Sequence, residues 1–343
     1  MCATLLASFL LLSACGEMAG GAPERTKVKV LIVPKFEIGE ISGDDIGEAQ
    51  LFYENYCADC EEVELSHVTP TAHFYMNEDN GVGLLLTGSG KSAAGLSLMS
   101  LLSMDEYDFS DATIVSVGCS GGSTGRCVYG DVVLVTDACD CELGYGTDSR
   151  ELTDPNAELT WFPDDALSDY AHERLNSELY DKAYQLIEDC PLRTTETSQR
   201  VLTQNFPDEE WAMREPCVSK GVAVSADTYW KGVVDHKNAS YVAEHYESAE
   251  EYAVTEMEEV AIMNAAKCFG MKDRVISLRV VVNLDTFLEG ESPETLWLDD
   301  SDYASKVTEE NSETLDIFEP GMYNLFDTGS IVIDAILSGE LAV

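Results

Sequence analysis

Apolar residues arrive along this chain in short unbroken runs, separated by glycine-rich joints and by segments with helical spacing. Val28–Val33 is apolar but for Lys29, and Gly81–Thr87, Ala112–Val117 and Asp131–Thr136 repeat the pattern. Runs of this length without polar alternation predict strands buried on both faces, as in a parallel sheet covered by helices. Between them Gly47–Tyr56 reads as a short helix, and Ser92–Ser103 as a longer one entered through Gly88-Ser89-Gly90-Lys91. The stretch Glu142–Pro216 is polar, carries a helical pattern over Asp169–Asp189, and reads as an insertion or lid. Alternation resumes with a strand at Val218–Val224, a helix over Val254–Phe269, a strand at Val275–Val282 and a helix over Ile331–Leu337. This order predicts an α/β fold with a central, twisted, mostly parallel sheet flanked by helices.

The first residues have another character. Met1–Leu12 is apolar apart from Thr4 and Ser8 and runs into Leu12-Ser13-Ala14-Cys15-Gly16. A short apolar run ending in small residues reads as a secretory signal. The tetrapeptide resembles a bacterial lipobox, which implies residues 1–14 as signal, Cys15 as the lipidated residue and 15–26 as a tether. The expectation is export, with the domain at 27–343 anchored by lipid outside the cytoplasmic membrane. Beyond residue 20 no stretch approaches the roughly 18–20 apolar residues of a spanning helix, so a multi-span channel is excluded.

Composition narrows the partners. The chain has 343 residues, with 64 acidic against 20 basic, for a formal charge of −44. Such a surface repels phosphate backbones, so non-specific nucleic-acid binding is excluded. Eleven cysteines fit export, with Cys57/Cys60 and Cys139/Cys141 close in sequence. Zinc is the competing reading of those pairs, but neither has a matching ligand cluster among the five histidines. No metal and no cofactor is expected.

Six segments carry candidate chemistry. Gly88–Ala94, between a strand and a helix, would let backbone N–H groups approach an anion or a sugar hydroxyl, or is simply a tight turn. Val117-Gly118-Cys119-Ser120-Gly121-Gly122 reads as a glycine-rich turn, and Gly130-Asp131-Val132-Val133 follows it. Ser225-Ala226-Asp227-Thr228-Tyr229-Trp230 and Glu256-Met257-Glu258-Glu259 come later, and Ile276–Asn283 ends a strand on an amide.

In this order these segments resemble the signature of the nucleoside phosphorylase and nucleosidase superfamily. The span Lys27–Leu337 resembles one branch of it, the purine nucleoside permease family. The marks are Phe36-Glu37-x-x-Glu40, Gly47-Glu48-Ala49-Gln50, Gly88–Ala94, Asp227–Trp230, Met257-Glu258 and Arg279-x-x-x-Asn283-x-Asp285. The family's Gly-Ile-Ala-Gly turn is Gly118-Cys119-Ser120-Gly121 here.

The resemblance implies a nucleoside phosphorylase-like fold and a purine nucleoside as ligand. It assigns Glu258, with Met257, to the ribose hydroxyls, Tyr229 to stacking on the base, and Asn283 to the purine edge. Gly90, Gly118 and Cys119 complete the implied binding set, with Cys119 a small packing residue and not a nucleophile. Glu37 or Glu40 would direct water to the anomeric carbon, and Asp285 would supply a proton to the leaving base if burial raises its pKa. Hydrolysis is favoured over phosphorolysis, because Ser116 and Cys119 occupy the positions of a phosphate-binding Arg and Ser. Lys91, Arg126 and Arg150 keep phosphate open as a second ligand. The competing expectation is a lipid-anchored binder that hands nucleosides to a separate transporter without cleaving them. A different substrate on the same scaffold is a third, and self-association is implied by the superfamily.

Overall fold

The computed structural model describes residues 25–65, 71–148, 159–292, 296 and 312–341. The lipobox, Cys15 and Arg150 lie outside the described residues. The first apolar run forms β1 (Val30–Val33), followed by α1 (Gln50–Tyr56), β2 (His73–Asn77), β3 (Val82–Leu86) and α2 (Lys91–Leu102). Next come β4 (Thr113–Gly122), β5 (Val132–Asp140), β6 (His172–Arg174), α3 (Ser177–Ile187) and α4 (Glu196–Asn205). The chain closes with β7 (Val218–Ser225), α5 (Val233–His245), β8 (Tyr252–Glu256), α6 (Glu259–Cys268), β9 (Val275–Leu284) and α7 (Ser312–Ser338).

The sheet runs β6-β5-β7-β8-β4-β1-β3-β2, and Glu62–Val63 extends it at the β2 edge. β9 lies between β4 and β5, parallel to the first and antiparallel to the second. Together β4, β9, β5, β7 and β8 therefore close a ring, and β1, β3 and β2 continue from β4 as an open sheet. The fold is α/β as expected, but the sheet is more mixed than the apolar runs suggested. β8 meets β4 antiparallel through Thr255 and Gly121, because closing the ring forces strands of opposite direction together. Among the described residues no helix is long and apolar enough to cross a membrane.

Four elements differ from the sequence reading, each for a local reason. The predicted turn at Gly118–Gly122 is the second half of β4, extended by its ladder with β9. The predicted helix over Val254–Phe269 begins as β8, paired to β7, and turns into α6 only after Glu256. The helical pattern over Asp169–Asp189 is interrupted by β6, which pairs with β5, and α3 restarts where the Asn176 side chain accepts from the amides of Glu178 and Leu179. The last helix begins well before Ile331, at Ser312. The polar middle stretch is also tied into the body: Leu179, Ala183, Ile187 and Leu202 are core residues, and α3 and α4 pack on α7. All nine described cysteines are free thiols.

Candidate functional site

The carboxyl ends of β1, β4, β7, β8 and β9 converge, as ligand-binding edges of α/β sheets do. Beneath that edge lies a buried cluster of charges built on Arg279. Arg279 of β9 stands opposite Gly118 of β4. A Cβ on Gly118 would come within 2.6 Å of Arg279 Nη1 and 3.1 Å of Glu48 Oε1, so glycine is what admits the guanidinium. Arg279 Nη2 pairs with Glu256 and Glu259, each at 2.9 Å, and Nη1 with Glu258 at 3.5 Å. The surrounding carboxylates hold it firmly protonated.

Lys35, at the end of β1, is the second buried cation. Its Nζ donates to Ser116 Oγ at 2.5 Å and to the Val117 carbonyl at 3.0 Å, and lies 4.0 Å from Glu259. Burial, reinforced by the neighbouring guanidinium, pushes it down to about 8.

The four carboxylates around these cations are not equivalent. Glu256 takes the Ser225 hydroxyl on one oxygen and the amides of Glu258 and Glu259, both at 2.7 Å, on the other. It therefore ends β8 and caps α6, whose next amide, that of Val260, goes to Ser225 Oγ. Glu259 is fully enclosed against Ser116, Lys35 and Arg279. Glu48 accepts the amides of Lys35 and Phe36 on one oxygen and that of Cys119, at 2.7 Å, on the other. Among the described residues Glu258 accepts the Gly90 amide, at 2.9 Å, besides its contact with Arg279. Its side chain keeps 6% exposure, against 1% for Glu256 and none for Glu259. Burial, aided by Glu256 and Glu48 and opposed by Arg279, pushes Glu258 up to about 7.

Above the charges stands a second pair. Asn283 Nδ2 donates to the Tyr229 hydroxyl at 2.8 Å. The ladder between β4 and β9 slips after Val281, which brings Asn283 opposite Gly121, whose missing side chain leaves room for the amide. Tyr229 is 43% exposed, and burial pushes its hydroxyl's pKa up. Cys119, whose amide binds Glu48, is kept a neutral thiol by burial and by the Glu48 and Glu258 carboxylates. The structure thus brings Gly118, Cys119, Glu258, Asn283 and Tyr229 to one edge. Met257 is half-buried between Glu256 and Glu258.

The Gly88–Ala94 loop is satisfied from within the chain. Gly90, at φ +95°, gives its amide to Glu258, and the Lys91 amide goes to Asp227 at 2.7 Å. Lys91 Nζ is held by both oxygens of Asp140 and by Glu142, all at 2.9 Å. Arg126 spends its guanidinium on the carbonyls of Glu251, Tyr252 and Lys220. Two of the cations read as phosphate ligands are therefore already engaged. Among the described residues no group of His, Cys, Asp and Glu is placed to hold a metal.

The three residues expected to move protons differ in their surroundings. Glu37 accepts the amides of Ala49 and Gln50, at 2.8 and 2.7 Å, and that of Ile38, so it caps α1. Burial raises it to about 7. Glu40 is exposed, with its amide bound to Asp44. Asp285 is fully buried and accepts from the Thr124 amide and the Tyr252 hydroxyl, both at 2.9 Å, and pairs with His236 Nδ1 at 2.8 Å. Glu48 and Arg279 had been noted as marks without a role, and Lys35 and Glu259 had not been singled out. An arginine inside the apolar run Val275–Val282 was the available signal, since a charge there needs buried partners.

Known proteins are similar to this chain at two levels. The solved structures share its fold at low identity. One is the 5'-methylthioadenosine/S-adenosylhomocysteine nucleosidase of Neisseria meningitidis in complex with methylthio-immucillin-A. It has a TM-score of 0.53 and 15% identity, over 90% of this chain and 99% of that one. The corresponding Colwellia psychrerythraea nucleosidase, in complex with adenine, has 0.53 and 17%, over 93% and 97%. Futalosine hydrolase of Helicobacter pylori has 0.54 and 12%, over 90% and 97%. In sequence, a "probable purine nucleoside permease" of Schizosaccharomyces pombe is 24% identical over 244 residues, 66% of this chain and 69% of that protein. The family model described as purine nucleoside permease (NUP) matches residues 27–340. The chain belongs to the purine nucleoside permease family.

Proposed function

We propose that this protein binds purine nucleosides and hydrolyses their N-glycosidic bond. The observation that carries the reading is Glu258: a buried carboxylate that accepts the Gly90 amide and is backed by Arg279, near the strand ends that carry the hydrogen-bonded Tyr229–Asn283 pair. Vicinal ribose hydroxyls donate to Glu258, which also stabilises positive charge growing on the sugar. The base stacks on the exposed ring of Tyr229, and the Asn283 amide meets its edge.

Bond cleavage leaves the electron pair of the C–N bond on the base, which takes its proton from solvent. Water then adds to the anomeric carbon. Glu48, held beside Cys119 and Arg279, is better placed to direct that water and accept its proton than Glu37 or Glu40. Hydrolysis is favoured over phosphorolysis because Lys91 and Arg126 are already neutralised or bonded. Purified protein incubated with inosine and adenosine should release free base and ribose without phosphate. Release only with phosphate, as ribose 1-phosphate, overturns the hydrolytic step.

A second reading is favoured by one observation: Asn283 cannot donate a proton as an acid, and Asp285 is committed to other partners. On that reading the protein is a non-catalytic binder, exported and anchored through a lipid on Cys15, that delivers nucleosides to a separate transporter. Tight binding of inosine with no base released supports it. Loss of membrane association in Cys15→Ser tests the anchor.

A further inference from the structure

Asp285 sits behind the Tyr229–Asn283 pair and joins four segments of chain. Its amide donates to the Gly122 carbonyl at 3.0 Å, and its own carbonyl accepts the Gly232 amide at 2.8 Å. Its carboxylate binds the Thr124 amide, the Tyr252 hydroxyl and His236 Nδ1. Asn283 is two residues before it on the same strand end, and Tyr229 is three residues before Gly232. Both members of the 2.8 Å Asn283–Tyr229 hydrogen bond thus lie on short segments joined to Asp285, that of Tyr229 through the Gly232 amide on its main-chain carbonyl and through His236 on its carboxylate.

We infer that Asp285 is a positioning residue for the purine-binding pair, and that His236 couples its hold to solution pH. The inference rests on the nucleoside-binding reading of that pair. A buried carboxylate with three partners fixes the segments they come from, since releasing any one strands a desolvated group. His236 is the partner that solvent reaches. Its side chain is 25% exposed in a cleft of about 740 Å³ that Arg126, Glu244, Glu251 and Tyr252 also line. The groups around it are Asp285 from the end of β9, Tyr252 from β8, Arg126 from the loop after β4, Glu247, Glu250 and Glu251 from the segment before β8, and Asp235, Lys237 and Glu244 from its own helix. The hydrogen bond to Asp285 raises the imidazole above its ordinary value, against burial and Lys237. The charged pair is therefore complete at lower pH and weakens as pH rises through that raised value.

The probe is free hypoxanthine or adenine, which reports the base side without the ribose contact to Glu258. Asp285→Asn keeps the shape and loses the charge, and is expected to weaken base binding about tenfold. His236→Asn keeps a side-chain donor at every pH. It is expected to bind the base equally across pH 6–9 (roughly the range spanned by histidine titration), where the wild type weakens with rising pH. Hydrogen exchange at residues 229–232 and 283–286 should accelerate in Asp285→Asn while α3 keeps its protection. Folded variants with wild-type base affinity and unchanged exchange overturn the inference and leave the proposed function standing. A wild type that binds neither base nor nucleoside removes the functional reading, and the exchange pattern then decides the positioning role alone.

Discussion

Arg279 and Gly118 face each other across β4 and β9, and the guanidinium fills the space that any side chain on the glycine would need. That exchange of volume lets a cation lie under the binding edge and hold Glu256, Glu258 and Glu259 around it.

Gly118→Ala should therefore destabilise the protein by about 1–3 kcal/mol, because neither Arg279 nor Glu48 can move without stranding a buried charge. The check is urea unfolding: a lower midpoint with an unchanged slope is expected. Gly146→Ala is the control, since nothing stands within 4 Å of its added carbon.

Removing the cation should cost more and in a pH-dependent way. Among the described residues, Arg279→Met leaves Glu256, Glu258 and Glu259 with Lys35 as their only buried counter-charge, a loss on the order of 3–5 kcal/mol near neutral pH. The folded variant then favours protonated carboxyls, so acid relieves the repulsion. The loss measured by denaturation should be smaller at pH 5 than at pH 8 (round values either side of neutrality). Equal losses at both would mean that packing, not charge, is what Arg279 supplies.

How much of this was legible beforehand depended on what surrounds each residue. The strands were readable because their runs are buried on both faces, and Glu258, Tyr229 and Asn283 because they punctuate segment ends in a recognisable order. Glu48 was not: in a chain with 64 acidic residues nothing local separates a buried carboxylate from a solvated one. Arg279 shows the same limit. It is a lone cation in an apolar strand, but so is Lys29, which the structure exposes. The start of α6 was hidden for a related reason, since the residue that ends the strand, Glu256, looks like its acidic neighbours until its carboxylate is seen on the amides of Glu258 and Glu259. β6 was missed because pairing with β5 overrides a helical pattern.

The raised Glu258 gives nucleoside binding a direction with pH. Its folded-state pKa of about 7 lies above the ordinary value of 4.5. The folded protein thus holds the extra proton between those values, and stability falls as pH rises through that window. Ribose hydroxyls need the ionised form, so inosine affinity, measured in the His236→Asn background that holds the base side constant, should rise with pH up to about 7 and then level off. Glu258→Gln should weaken binding by about 1.5–3 kcal/mol, roughly 10- to 150-fold, and flatten the profile. Calorimetric titrations of both proteins across that range decide it. A Gln variant with the wild-type profile would move the pH dependence to another group.

The choice between Glu48 and Glu37 as the water-directing carboxylate can be settled by separating stability from turnover. Glu37 serves the Ala49 and Gln50 amides at the start of α1 and the amide of Ile38 beside it, so Glu37→Ala should cost about 0.5–2 kcal/mol of stability. Base release from inosine by the folded fraction should stay near wild type. Glu48 also binds amides, but one of them belongs to Cys119 at the binding edge, and its carboxylate lies beside the Gly118 Cα together with Arg279 Nη1. Glu48→Gln removes the charge while keeping an acceptor, and should lower kcat by about 10²–10⁴-fold, the usual worth of a general base, with less effect on KM. The reverse pattern, with turnover lost in the Glu37 variant and kept in Glu48→Gln, would return the role to the α1 cap. That would require the capping carboxylate to leave all three amides during the reaction. Loss of turnover in both variants with folding intact would show that the water is held between the two carboxylates, whose amide partners interleave: Glu48 binds those of Lys35 and Phe36, and Glu37 those of Ala49 and Gln50.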